Sequence, residues 1–234
     1  MNLRKNEREF FDTEATLKLY REFDLNDYEA RIAYVKEEAE KVRSHFDEAC
    51  FTEKLSSRIA HCYLDAEKFG EAIPYLEKEV ELKDKWDSFY LFPIWLLIRC
   101  NRLIKDFEKG LYWSEKAFSL FDQANAMDKL NVFVEYSKLL MDYEKPFNPD
   151  YLHFIQEIID EHGFPQRLEE PTATIQSLDV MNRKWNRKLS DISMMKTADK
   201  VEKITLFHKY IEVCEIGWYR ENAEKVIANL QKGD

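Results

Sequence analysis

The chain has 234 residues, of which 34% are charged and 14% aromatic, and its formal net charge is −10 from 45 acidic against 35 basic side chains. That balance works against general binding to nucleic acid or anionic membranes, and it is the charge of a protein that meets a basic partner. Only five glycines occur, and few β-type alternations separated by turn dipeptides appear. The composition therefore predicts an all-α protein.

The first helix is predicted over residues 10–23, stopped by the cluster Asp24, Leu25, Asn26 and Asp27, which also caps the next. In the second helix Tyr28, Ile32, Val35, Ala39, Val42 and Phe46 recur in steps of four and three. That stripe is too narrow to fold alone and must pack on neighbours. A coiled-coil dimer is the alternative, but the stripe covers fewer than about three heptads.

Residues 55–82 read as a helix–turn–helix hairpin. An apolar-periodic segment capped by Thr52 ends at Tyr63, and Phe69, Ala72, Ile73, Leu76, Val80 and Leu82 follow at helical spacing. Placing the turn at Lys68, Phe69 and Gly70 puts Pro74 in the first turn of the second helix, where a missing N–H costs little. A further pair starts at Asp87 or Ser88, runs through Ile94, Leu97 and Leu103, and returns through Phe107, Leu111, Ala117 and Leu120. Phe107 stands 38 residues after Phe69, and Tyr28 stands 41 before it. Periods near 34 to about 45 residues belong to arrays of helical hairpins.

The next pair covers residues 126–143 and a return helix opened by Asn148 and Pro149 and closed by Gly163 and Pro165. Residues 166–172 read as a polar connection, dividing a hairpin array over residues 1–165 from a C-terminal helical cap over 166–234. The cap holds a less regular helix, about 173–189, and a final pair built on Ile204, Phe207, Ile211 and then Tyr219, Ala223, Ile227.

Ala60 and Tyr63 on one helix, then Phe69, Ala72, Leu76 and Leu82 on the next, resemble the tetratricopeptide repeat family, and Phe107, Gly110, Ala117 and Leu120 repeat the second half of that pattern. Asn101 and Ile98 depart from it, standing where a tyrosine and a small residue are usual, and the common closing proline is absent. The resemblance implies a right-handed superhelix of stacked antiparallel hairpins, a tetratricopeptide-like α-α solenoid whose first helices line a concave groove for peptides or protein surfaces. Carried onto this chain, the groove-facing positions are Lys54, Ser57, His61, Leu64 and Asp65, then Phe92, Trp95, Arg99 and Arg102. Trp95 between arginines has the composition of an interface anchor; the alternative is that Phe92 and Trp95 fill the core.

Chemistry is sparsely provided for. No glycine-rich phosphate loop, H-E-x-x-H helix or G-x-S-x-G elbow occurs, and the chain is read as a non-enzyme without cofactor or metal. His153, Glu157 and Glu161 share a helical face and could hold a divalent ion, against the simpler reading of a solvated face. The widely scattered Cys50, Cys62, Cys100 and Cys214 read as buried, reduced thiols.

Two charge runs stand out. Residues 146–170 hold six carboxylates, with Glu157, Asp160 and Glu161 at their centre, against Arg167 alone. The run Arg183, Lys184, Trp185, Asn186, Arg187, Lys188 combines cations with an aromatic, as single-strand nucleic-acid binders do, or else pairs internally with residues 157–170. With no apolar leader at the N-terminus and no apolar run beyond residues 91–98, a cytoplasmic location is expected.

The function expected is protein–protein interaction, foremost an acidic inhibitor or immunity-type protein that neutralises a basic effector or toxin. The alternatives are an adaptor or regulator that takes a peptide in its groove, and a nucleic-acid-linked regulator. The candidate binding residues are His61, Phe92, Trp95, Arg99 and Arg102 on the groove and Glu157, Asp160 and Glu161 on the acidic edge.

Overall fold

The computed structural model describes residues 9–82, 90–195, 197 and 199–232, and every regular element among them is helical. The chain divides between Asp122 and Gln123 into two compact units. The first carries α1 (Thr13–Arg21), α2 (Tyr28–Val42), α3 (Glu48–Asp65), α4 (Phe69–Leu82), α5 (Leu91–Leu103) and α6 (Phe107–Phe118). The second carries α7 (Ala126–Asp142), α8 (Leu152–His162), α9 (Pro171–Met194), α10 (Lys200–Val213) and α11 (Gly217–Lys232). In the first unit each helix packs on its neighbours in sequence. In the second, α9 packs on α7, α8, α10 and α11. The division between units thus falls well before residues 166–172.

Most helices start where a short polar side chain accepts a hydrogen bond from an otherwise unpaired amide of the first turn, an interaction worth about 1 kcal/mol. Asp12 accepts from Ala15 N at 2.7 Å, Asp47 from Cys50 N at 2.8 Å, Asp106 from Lys109 N at 3.1 Å and Asp199 from Glu202 N at 2.8 Å. Asp27 caps α2, as its position suggests. Several starts differ from the expectation. The cap of α3 is Asp47, so that helix begins four residues before Thr52. The helix α1 starts at Thr13 and leaves Phe10 and Phe11 ahead of it, where both are buried and Phe10 packs on Phe46 and Phe51. Glu170 caps α9, a 24-residue helix that absorbs part of the expected connection. Asn148 caps a 3-10 turn, Pro149–Tyr151, that leads into α8. The cap expected at Asp87 or Ser88 lies outside the described residues.

Four of the helix ends share one device. After α3, Glu67 takes a left-handed φ of 56° and Lys68 N donates to Tyr63 O at 2.8 Å. After α5, Lys105 has φ 65° and Asp106 N donates to Asn101 O at 2.8 Å. After α7, Glu144 has φ 51° and Lys145 N donates to Leu140 O at 2.9 Å. After α8, Gly163 has φ 64° and Phe164 N donates to Ile159 O at 2.9 Å. These are Schellman closures, each turning the chain back while satisfying carbonyls that a helix end leaves free. Three of the four use a residue with a Cβ, and Glu67, Lys105 and Glu144 follow one another at intervals of 38 and 39 residues. The turn of the best-formed hairpin is therefore residues 66–68, with Phe69 already helical, and Pro74 lies in the second turn of α4. Gly70, whose carbonyl the missing N–H would have met, is exposed.

The apolar faces then close on one another. Tyr63 of α3 meets Tyr28 of α2 at 5.5 Å and Tyr75 of α4 at 5.7 Å between ring centroids, so one aromatic joins three helices. Ala60, Ala72, Leu76, Ile94, Leu97 and Ile98 are wholly buried. Ile98 takes a position where a smaller residue was expected and still packs without exposure, whereas Asn101 turns its amide back to Leu97 O at 2.8 Å. All four cysteines are free and buried. No helix among the described residues is long and apolar enough to cross a membrane.

In the second unit the closure at Gly163 also makes a contact. Gly217 N donates to Gly163 O at 3.1 Å, and a Cβ on Gly163 would stand 3.2 Å from Gly217 Cα. The closures predict opposite effects for two substitutions. Lys105→Gly relieves a left-handed Cβ and raises stability by roughly 0.5–1 kcal/mol, whereas Gly163→Ala adds both strain and a backbone collision and lowers it by about 2 kcal/mol. Urea unfolding of the two variants against the parent chain measures both signs.

Candidate protein-binding face

Of the eight candidate residues, five lie in the first unit and three in the second. On α3, Lys54, Ser57, Arg58, His61 and Asp65 recur at three- and four-residue steps on the side opposite the buried Ile59 and Cys62. On α5, Phe92, Trp95, Arg99 and Arg102 do the same beside the buried Ile94, Leu97 and Ile98. The two stripes meet. His61 and Phe92 rings are 5.7 Å apart, and Phe92 meets Trp95 edge to face at 5.3 Å.

All three rings are half-buried and Arg99 is exposed. This row is neither pure core nor free surface: Phe92 is held between His61 and Trp95, and all three residues keep part of their area exposed. Trp95 Nε1 is enclosed without an acceptor among the described residues, an arrangement that costs of order 1–3 kcal/mol. Burial pushes the His61 pKa down, and the Arg58 and Arg31 charges lower it further against an opposing pull from Asp65. His61 is accordingly a neutral aromatic in this row at pH 7.

Asp65 has another task. Arg31 of α2 is wholly buried, and its Nη2 donates to Asp65 Oδ2 at 2.7 Å while the guanidinium lies over the Tyr20 ring at 5.5 Å. Asp65 thus pins α2 to α3 and is not free to receive a partner. Nothing in the sequence pairs residues 31 and 65, which stand 34 apart.

Beside the same stripe of α3 a cleft of about 530 Å³ opens between residues 9–17 and Lys54, Ser57 and Arg58. Phe11 and Leu17 line one wall, and the Arg58 guanidinium sits 5.4 Å from the Phe11 ring centroid. Reading the sequence alone misses this cleft, because residues 10–12 belong to the first helix on periodicity; the adjacent Phe10 and Phe11 just before the capping Asp12 were the available signal.

In the second unit Glu157, Asp160 and Glu161 are exposed on α8. Glu157 Oε2 accepts from the buried Lys129 Nζ at 2.9 Å, and Asp160 accepts from Gln156 Nε2 at 2.8 Å. The acidic edge is thus partly neutralised by its own unit. His153 Nδ1 lies 2.9 Å from Asp150 O. Among the described residues no group of three or more His, Cys, Asp or Glu side chains is placed to hold a metal ion.

The basic run on α9 is a different kind of structure from either expectation. Trp185 is 2% exposed, its Nε1 lies 3.3 Å from Glu215 Oε2, and its carbonyl accepts from Tyr210 Oη at 3.0 Å. Lys184 and Lys188 each place Nζ 4.5 Å from its ring centroid. A base cannot stack on this ring without unpacking it. The ion-pair partners are Asp179 for Arg183 and Glu215 for Lys184, not residues 157–170, and Lys184 holds the Glu215 carboxyl below its usual range.

No protein-family model matches the chain, and neither a curated protein nor a solved structure matches it. The residues themselves carry the functional reading.

The Arg31–Asp65 pair generates a quantitative expectation. Asp65→Ala leaves a buried guanidinium without its counter-charge and destabilises by about 3 kcal/mol, while the double change Arg31→Met with Asp65→Ala recovers most of that loss. A double-mutant cycle by chemical denaturation checks this; a harmless Asp65→Ala contradicts it.

Proposed function

We propose that the protein is a non-catalytic, tetratricopeptide-like protein-binding module, and that the α3–α5 face of its first unit receives a segment of a partner protein. The observation that supports this most is the His61, Phe92, Trp95 row. Large aromatics in mutual contact, half-buried and next to an exposed arginine, are what binding hot spots are made of. The cleft bordering the same stripe of α3 supplies depth where the row supplies flat contact. On this reading a partner segment crosses the first helices, laying apolar side chains on Phe92 and Trp95.

The partner is a basic protein. A chain of net charge −10 draws a cationic surface towards it at long range, speeding association without setting the contact geometry. An inhibitor or immunity-type role, in which binding covers the active surface of a basic effector, follows from that charge; an adaptor that displays a peptide is the second reading, favoured by the cleft. The Glu157, Asp160 and Glu161 edge serves in steering, with Asp160 and Glu161 contributing more than the engaged Glu157.

The test is the affinity of the partner recovered from the native cell for the single variants Phe92→Ala and Trp95→Ala. The expected result is a loss of tenfold or more in affinity, about 1.4 kcal/mol or above, with the midpoint of thermal unfolding within a few degrees of the parent. Unchanged affinity for both variants contradicts the proposed face. Loss of binding only in step with loss of folding assigns the row to the core instead.

A further inference from the structure

The second unit contains a joint between α8 and α11. The end of α8 and the start of α11 approach so closely that both contact positions are glycine, with Gly217 N donating to Gly163 O at 3.1 Å. Immediately beside that contact, His162 is 4% exposed. Its ring is nearly parallel to that of Trp218, at 5.1 Å and 6°, and lies at 5.9 Å and 18° from Phe164. Neither Nδ1 nor Nε2 has a hydrogen-bond partner among the described residues. Buried imidazoles ordinarily have at least one partner, so a ring with none is unusual. It is being used as a flat apolar plate.

We propose that the α8–α11 joint is an acid-released latch, closed while the His162 ring is neutral between Trp218 and Phe164 and opened when that ring takes up a proton. The geometry sets the direction. A neutral ring fits the stack with one N–H unsatisfied, whereas the protonated ring brings a positive charge and a second unsatisfied donor into the same dry space. Attraction of the cation to the faces of Trp218 and Phe164 offsets part of this, but it leaves both donors without acceptors.

No counter-charge stands by to rescue the proton. The charged residues nearest in sequence are Asp160 and Glu161 on α8, Arg167 before α9, and Glu215, Arg220 and Glu221 around the start of α11, and all are exposed. Of the other elements packed on α8, α7 carries Lys129, which is engaged with Glu157, and α9 carries Asp179 and Arg183, which are engaged with each other. Burial alone pushes the His162 pKa below its ordinary value of 6.5, with no charged group acting on it. For a base so shifted the unfolded or opened form binds the proton more readily. The joint therefore has its full stability above pH 6.5 and loses it as the pH falls below that value.

Release frees the start of α11, while the body of the helix stays packed on α10 and α9. Tyr219, Ala223 and Ile227 are the residues that bury α11, and Trp218 is 39% exposed even in the closed joint, so the start of α11 is the place where opening begins. The consequence is a unit in which the start of α11, and the end of α8 that it covers, become accessible in a mildly acidic environment.

Hydrogen exchange of the full chain at pH 7.5 and 5.5, corrected for intrinsic rates, tests the latch. Residues 217–222 should exchange several-fold faster at the lower pH while α5 and α6 do not change. The variant His162→Phe keeps the plate and removes the proton site, so its α11 should be insensitive to pH over the same range. Equal acceleration of α11 in the variant, or none in the parent chain, overturns the proposal. An NMR titration of His162 in the parent chain gives an independent reading that does not depend on the variant folding: a midpoint below 6.5 is expected, and one at or above 6.5 overturns it.

Discussion

The left-handed closure that ends four of the helices is the constraint on which the rest of the molecule depends. A helix leaves its last carbonyls unsatisfied, and a chain that must double back has only a few residues in which to satisfy them. Here the same solution appears after α3, α5, α7 and α8, and it fixes which residue of the helix is covered and which face the next helix meets. Three of these closures place Glu or Lys in a conformation that glycine would adopt at less cost. The array is thereby specified by packing more than by local preference: Tyr63 between Tyr28 and Tyr75 and the wholly buried Ala72, Leu76, Ile94 and Leu97 hold the closures in place.

From that scaffold follows the division between what is structural and what is left over. Arg31 and Asp65, by residue type, look like surface and groove residues, yet the buried Arg31 and the part-exposed Asp65 form an ion pair that ties α2 to α3. Trp185, set among four cations in the sequence, is core. The His61, Phe92, Trp95 row is what remains after such residues are assigned: aromatic area not consumed by packing, on the helices that stand first in their hairpins. On the proposed reading the two parts of recognition are separate, since charge acts at a distance and the rings act at contact.

Periodicity made the helices legible, and the 38-residue interval between Phe69 and Phe107 reappears as the spacing of Glu67 and Lys105. Helix starts were less so. Thr52 has a capping side chain, but Asp47 comes first and takes the role, and a periodicity argument cannot choose between two competent caps in one stretch. Three of the four left-handed residues carried no glycine to mark them, which is why the turn at 66–68 reads from sequence as 68–70. Of the candidate site, the stripe positions on α3 and α5 were readable because helical spacing dictates them. The meeting of His61 with Phe92, the pairing of Arg31 with Asp65 and the cleft beside Phe11 are long-range facts that no local pattern encodes.

The central claim, that the first helices of the first unit present the contact face, is tested most directly by photocrosslinking in the native cell. A benzoylphenylalanine placed at Phe92 on α5 is compared with one at Tyr112, an exposed aromatic on the second helix of the same hairpin. The account predicts a discrete adduct with a partner protein from position 92 and none from position 112. An adduct from position 112 with none from position 92 would contradict it.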